Sequence, residues 1–277
     1  MCNEVWGGNR PIDTPFELPG VNGWLRSYPS DGGRGGDVHY LSVCGSGLLS
    51  RMSLADVAGH GERVAKLSQA LHRMLRRHMN SPDQRILLSK LNTELSEGDG
   101  LFTTAVVVTY YAPSRSVSIS YAGHPHAWYC RANESKWACV QPAAAQEGSQ
   151  LFDLPLSADP RTRFRRRTFR VSPGDRLVLI TDGVLEAPSA SGEQFGENRL
   201  RALLQDSMKQ PPKETVARLA GAVQSWSAKS GHDDVSILVA DFNSGPRAPA
   251  IWTALKNRLV RPLTGLWTRP KPANPPA

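Results

Sequence analysis

The spacing of apolar and polar residues changes period several times along the chain, and each change marks an element. DVHYLSVC (37–44) and SRMSLADV (50–57) are β-like runs around the turn-forming GSGL, which predicts a hairpin. From Glu62 the period becomes helical, with Val64, Leu67, Leu71, Met74, Leu75 and His78 recurring on one face. A second helix is predicted after Ser81-Pro82, with Ser81 as N-cap, Pro82 at the first helical position and Leu88, Leu91 and Leu95 on its apolar stripe. LFTTAVVVTYY, SVSISYAG, AWYCR and KWACV read as strands, the first apolar on both faces as a strand covered from two sides should be. After a loop over 143–149 come an arginine-rich strand and DRLVLITDG, a buried strand running into a turn. Helices over 198–208 and 212–227 precede a last strand, DVSILVADF. Strands and helices are segregated, so the pattern predicts an α+β fold of antiparallel sheets flanked by helix pairs.

The 277 residues suffice for a substantial core. Residues 1–33, rich in Gly, Pro, Asn and Ser, read as an irregular approach, 34–243 as the folded domain, and 244–277 as a basic, proline-rich tail that is disordered or partly helical. A formal net charge of +8 invites nucleic-acid or anionic-membrane binding. The charge is concentrated, however: Arg161, Arg163, Arg165, Arg166, Arg167 and Arg170 form one acid-free block and the tail another. Without those two segments the chain is mildly acidic, and no nucleic acid is expected as a partner. No apolar run reaches the roughly 20 residues of a membrane span, and the N-terminus lacks signal-peptide regions, which predicts a cytoplasmic protein. Cys2, Cys44, Cys130 and Cys139 form no metal-binding spacing and are expected as free thiols, a Cys130–Cys139 bridge being the alternative.

The chemistry-bearing residues are aspartates at strand ends. Asp37 opens the first predicted strand and Asp56 closes its hairpin partner; Asp182 closes RLVLIT; Asp233 and Asp234 open the last strand. An antiparallel arrangement allows all of them to meet at one sheet end. Gathered carboxylates resist ionisation unless a cation compensates, and hard oxygen ligands without Cys or paired His select Mg²⁺ or Mn²⁺. Two such ions, roughly 3.5–4 Å apart, activate water and clamp a phosphoryl group, the logic of a phosphohydrolase. The alternative for each aspartate taken singly is a turn or cap role, which Asp-Gly and Asp-Val-Ala-Gly also suit.

GGDVHY, DVAGHG, FTTA, YAGHP, PGDRLVLITDGVLEA, GEQFG and HDDVSILV, in that order over 34–242, resemble the SpoIIE-like branch of the metal-dependent (type 2C-like) serine/threonine protein phosphatases. The resemblance implies an αββα sandwich with two divalent cations, Mn²⁺ or Mg²⁺, at one end. It also implies hydrolysis of phosphoserine or phosphothreonine on a partner protein such as an anti-sigma-factor antagonist, by direct attack of metal-activated water. By position, Asp56 matches the aspartate bridging both metals and Val57 supplies the neighbouring carbonyl ligand; Asp182, Asp233 and Asp37 match further ligands, and Asp234 stands in or just behind the ligand set. Glu186 belongs to the motif without an assigned role. Two positions depart from the family pattern: Tyr40 stands where many relatives carry a third-position acid after the GGD aspartate, and Pro155-Leu156-Ser157 replaces a PLG. A catalytically weak phosphatase-fold module acting by partner docking is the competing expectation.

The remaining candidates each have two readings. His60, in the turn after Asp56, is a candidate general acid or a turn-stabilising residue; His124 reads as structural, and His39, on a strand next to Asp37, fits a functional or a structural role. The arginine block is either a charged edge guarding against aggregation or a docking site for an acidic or phosphorylated partner. In the tail, Trp252, Leu255 and Leu259 beside Lys256, Arg258 and Arg261 form a cationic amphipathic segment suited to weak peripheral membrane contact.

Overall fold

Among the described residues twelve strands and five α-helices are assembled so that every pairing between these strands is antiparallel. A computed structural model of the chain describes residues 2–29, 33–59, 61–81, 83–97, 101–144, 151–227 and 233–244. The strands are β1 Asn3–Gly8, β2 Ile12–Leu18, β3 Val21–Tyr28, β4 Val38–Cys44, β5 Leu49–Val57, β6 Thr103–Tyr111, β7 Ser116–Ala122, β8 Trp128–Cys130, β9 Ala138–Cys139, β10 Arg167–Arg170, β11 Arg176–Ile180 and β12 Val235–Phe242. The helices are α1 Glu62–His78, α2 Gln84–Ser96, α3 Asp182–Leu185, α4 Gly196–Asp206 and α5 Pro212–Trp226. One sheet has the order β1-β4-β5-β6-β7-β10, the other β2-β3-β12-β11-β8-β9.

Three apolar layers hold these pieces together. Phe16, Leu25, Leu41, Leu54, Val108 and Leu238 pack between the sheets. Val64, Leu71, Leu75, Leu88 and Leu91 lay the α1 and α2 stripes on the outside of the first sheet, against Val38, Ala55 and Val107. Leu200, Leu204, Val216, Leu219 and Val223 do the same for α4 and α5 on the second sheet. The result is the αββα order, and β6 is apolar on both faces because it is covered by α2 on one side and the opposite sheet on the other. The β4–β5 hairpin keeps its expected partners, Val38 opposite Ala55 and Cys44 opposite Leu49.

Several expectations are corrected. Residues 3–28, read as irregular, form β1, β2 and β3; β1 closes one edge of the first sheet, and β3 sits inside the second, paired with both β2 and β12. The turn-rich composition hid these strands, whose Gly and Pro residues lie at edges and at a close approach. Gly23 is one: a Cβ there would lie 2.0 Å from the Val239 carbonyl. Because β1 pairs with β4, Cys2 comes beside Cys44 and the two form a disulfide instead of remaining free, while Cys130 and Cys139 are the free pair. The N-cap of α2 is Asp83, whose carboxylate accepts the Arg85 N–H at 2.8 Å, and not Ser81. Within the arginine block only Arg167–Arg170 forms a strand, paired to β7 at the sheet edge. Among the described residues no helix is long and apolar enough to cross a membrane. The amphipathic segment of the tail lies outside the described residues.

Candidate active site

The five aspartates are brought to one end of the sandwich by strand register. Asp56 is the penultimate residue of β5, opposite Thr104, and Asp37 immediately precedes β4, whose Val38 faces Ala55. From the other sheet, Asp182 follows β11, and Asp233 and Asp234 precede β12, with Ile180 opposite Ile237. The two hairpin-like pairs therefore present their acids where the sheets meet.

Hydrogen bonds sew that end together. Asp37, 3% exposed, accepts through Oδ2 from Thr181 Oγ1 at 2.9 Å and from Ser236 Oγ at 2.6 Å. Thr181 Oγ1 also receives the Ser236 N–H at 2.9 Å, and Ser27 Oγ lies 2.8 Å from Ser236 Oγ. In the reverse direction Asp234 Oδ2 accepts the backbone N–H groups of Gly36 and, at 3.3 Å, of Asp37. The approach depends on glycine: a Cβ on Gly35 would stand 2.0 Å from Asp234 Oδ2, and one on Gly183 2.1 Å from the Asp234 carbonyl. The carbonyl of Val57 lies at the same spot, 2.8 Å from where a Gly36 Cβ would be.

The electrostatics follow from burial and like charge. Desolvation and then the Asp56 charge push Asp37 well above the usual carboxylate range, opposed by the Ser236 and Thr181 hydroxyls. Asp56 is pushed up to about 8 by desolvation and by the charges of Asp182, Asp233, Asp234 and Glu186. Asp182 rises to about 6, through desolvation and then Asp233 and Glu186. Asp37 Oδ1 and Asp182 Oδ1 are buried carboxylate oxygens that receive no hydrogen bond. Among the described residues no three acidic, His or Cys side chains close into a single ligating cage.

Other candidates fall elsewhere. Tyr40 stands on the opposite face of β4 from Asp37, in the layer under α1, with its hydroxyl 2.7 Å from Met79 Sδ. His39 and His124 are both buried, and desolvation holds each imidazole down to about 4. His124 Nδ1 lies 3.1 Å from the Pro125 carbonyl. His60 lies outside the described residues. Glu186, exposed at the end of α3, donates its N–H to the Asp182 carbonyl at 2.8 Å, and its charge bears on Asp182 and Asp56. Thr181, Ser236 and Ser27 were not foreseen; the one sequence signal is a hydroxyl residue beside each aspartate motif, in Thr181-Asp182 and Asp234-Val235-Ser236.

The profile of the stage II sporulation protein E (SpoIIE) family matches residues 49–243, most of the chain, from β5 through β12 with Asp56, Asp182, Asp233 and Asp234. The chain belongs to the SpoIIE family. Solved structures agree on the fold. The SiaA-PP2C domain of Pseudomonas aeruginosa superposes with a TM-score of 0.65 at 19% identity, over 79% of this chain and 85% of that one. The RsbU and RsbW domains of Rv1364c from Mycobacterium tuberculosis give 0.66 at 19% identity, over 86% and 64%. RsbX in complex with magnesium gives 0.60 at 14% identity, over 84% and 100%. No curated protein matches the chain. This SpoIIE-family chain thus carries the PP2C phosphatase fold, with its strand-end aspartates collected in one place.

Proposed function

We propose that this SpoIIE-family chain is a metal-dependent protein serine/threonine phosphatase that hydrolyses a phosphomonoester on a partner regulatory protein. The observation that carries the reading is the acid cluster itself, with Asp37 Oδ1 and Asp182 Oδ1 buried and without donors. Buried acids that lack donors and resist ionisation fit a hard divalent cation, and an oxygen-only donor set fits Mg²⁺ or Mn²⁺ better than zinc. Asp37, Asp56, Asp182, Asp233 and the Val57 carbonyl would hold two such ions. Bound there, the cations supply Lewis-acid polarisation of a water and neutralisation of phosphoryl charge.

The chain's own residues prepare the place. Thr181 and Ser236 occupy one oxygen of Asp37 and leave the other for a ligand. Asp234 accepts the Gly36 and Asp37 N–H groups, which ties the segment carrying Asp37 to the start of β12. Such fixed groups cost no reorganisation during reaction, which is how electrostatic catalysis is strongest. The company of the structural neighbours supports a regulatory phosphoprotein, such as an anti-sigma-factor antagonist, as substrate: one joins RsbU and RsbW domains, and another is described as a bacterial stressosome system that controls secondary messenger signalling.

Purified full-length protein should hydrolyse an aryl phosphate only with Mn²⁺ or Mg²⁺ present. Asp56→Ala and Asp182→Asn should each lower turnover roughly 100-fold or more. Metal-independent turnover, or full turnover in both variants, would sink the assignment.

A further inference from the structure

The outer surface of α2 carries a groove, bordered by the core residue Phe164, that the acid cluster does not use. It measures about 580 Å³ and runs between the exposed stripe of α2, with Arg85, Ile86, Lys90 and Thr93, and the segment holding Arg163 and Phe164. Leu87, Leu88, Leu91 and Leu95 already supply the buried stripe of α2, so Ile86, 45% exposed, contributes nothing to the core.

Cations are in excess along the groove. Of its two carboxylates, Asp83 is shared by Arg85 at 2.7 Å and Arg166 at 2.9 Å, and Glu94 by Arg77 at 3.0 Å and His78. Lys90 and Arg163 also line the groove. Arg85 holds Asp83 through both Nε and Nη2, whereas Arg166 and Arg77, with side chains 40% and 65% exposed, make single surface contacts of a kind worth about 0–1 kcal/mol. Arginine also receives a carboxylate through two parallel hydrogen bonds, giving direction as well as charge.

The groove is joined to the acid-bearing strand end by one hydrogen-bonded frame. Asn92, buried on α2, accepts the Ser157 N–H at 2.8 Å and donates to the Asp159 carbonyl at 2.9 Å. Leu156 exchanges backbone bonds with Thr103, which stands opposite Val57, the neighbour of Asp56.

We propose that this groove docks an acidic segment of the partner protein, its carboxylates facing Arg85, Lys90 and Arg163 and an apolar side chain resting on Ile86. The assignment of that segment to the phosphoprotein substrate rests on the phosphatase reading. A groove with an exposed apolar side chain and its own carboxylates suits a peptide better than a lipid surface or a nucleic-acid backbone, both of which present unbroken phosphate.

The test is a fluorescence-anisotropy titration of the full-length chain with a short dye-labelled peptide of glutamates flanking a leucine. The double variant Lys90→Glu/Arg163→Glu should bind this peptide at least roughly tenfold more weakly, and the single surface change Ile86→Glu should weaken it as well. Aryl phosphate turnover should stay at the parent level in both, since none of these residues belongs to the acid cluster. Unchanged peptide binding in both variants would overturn the docking site. So would an anionic vesicle or a single-stranded oligonucleotide that binds as tightly as the peptide and loses affinity in the same variants. Peptide binding that behaves as expected in a protein without metal-dependent turnover would leave the docking groove standing and defeat the phosphatase reading, so the two failures are separable.

Discussion

Ser157 sits in the left-handed region with φ 70°, at the position where the family pattern places glycine. A side chain there crowds the backbone, and the conformation persists because Asn92 holds the Ser157 N–H. Ser157→Gly should therefore stabilise the protein by about 0.5–1 kcal/mol in urea unfolding; an unchanged or lower midpoint would show that the turn is not strained. At this scale the aspartates were the legible part of the site. Each stood at the end of an apolar run, where an antiparallel arrangement allows convergence without requiring it. The hydroxyls of Thr181 and Ser236 were not legible, because a serine or threonine in a strand reads as ordinary until its partner, Asp37, arrives from far along the chain.

Helix α1 ends on a buried cation. Arg51, on β5, is 1% exposed and donates through Nη1 to the Met79 carbonyl and through Nη2 to the Ser81 carbonyl, both at 2.9 Å, while Nε bonds Thr109 Oγ1 at 3.3 Å. Carbonyls just past a helix end have no intrahelical donor, and a positive group there also complements the helix dipole. Arg51→Met keeps most of the side-chain volume but leaves those carbonyls without donors, so it should cost about 2–4 kcal/mol. Chemical denaturation reads this directly; a loss within error of zero would mean that water satisfies the 79–81 turn instead. The helices themselves were legible from their stripes. Their exact starts were not, since Ser81 and Asp83 are both good caps and only the backbone geometry selects the latter.

On the scale of the whole molecule, residues 3–28 belong to the sandwich. β3 runs between β2 and β12, and Phe16, Val21 and Leu25 are buried between the sheets. A chain beginning at residue 34 would expose the β12 and β4 edges and empty part of that layer, so it should lose cooperative thermal unfolding by circular dichroism. A sharp transition near that of the full chain would contradict the role given to these strands. The net charge of +8 also changes meaning at this scale. Part of it lies along the α2 groove, with Arg85, Lys90 and Arg163, while the opposite sign collects at the strand ends. By itself the sequence determined the segregated α+β pattern, the two helix stripes and the strand-end aspartates, because period and turn chemistry are local properties. Only the tertiary structure decided that Gly- and Pro-rich residues 3–28 are strands, that Cys2 meets Cys44 and that Asp37 is held by Thr181 and Ser236. Those facts arise from pairing between distant segments, and long-range pairing leaves no period in the sequence to read.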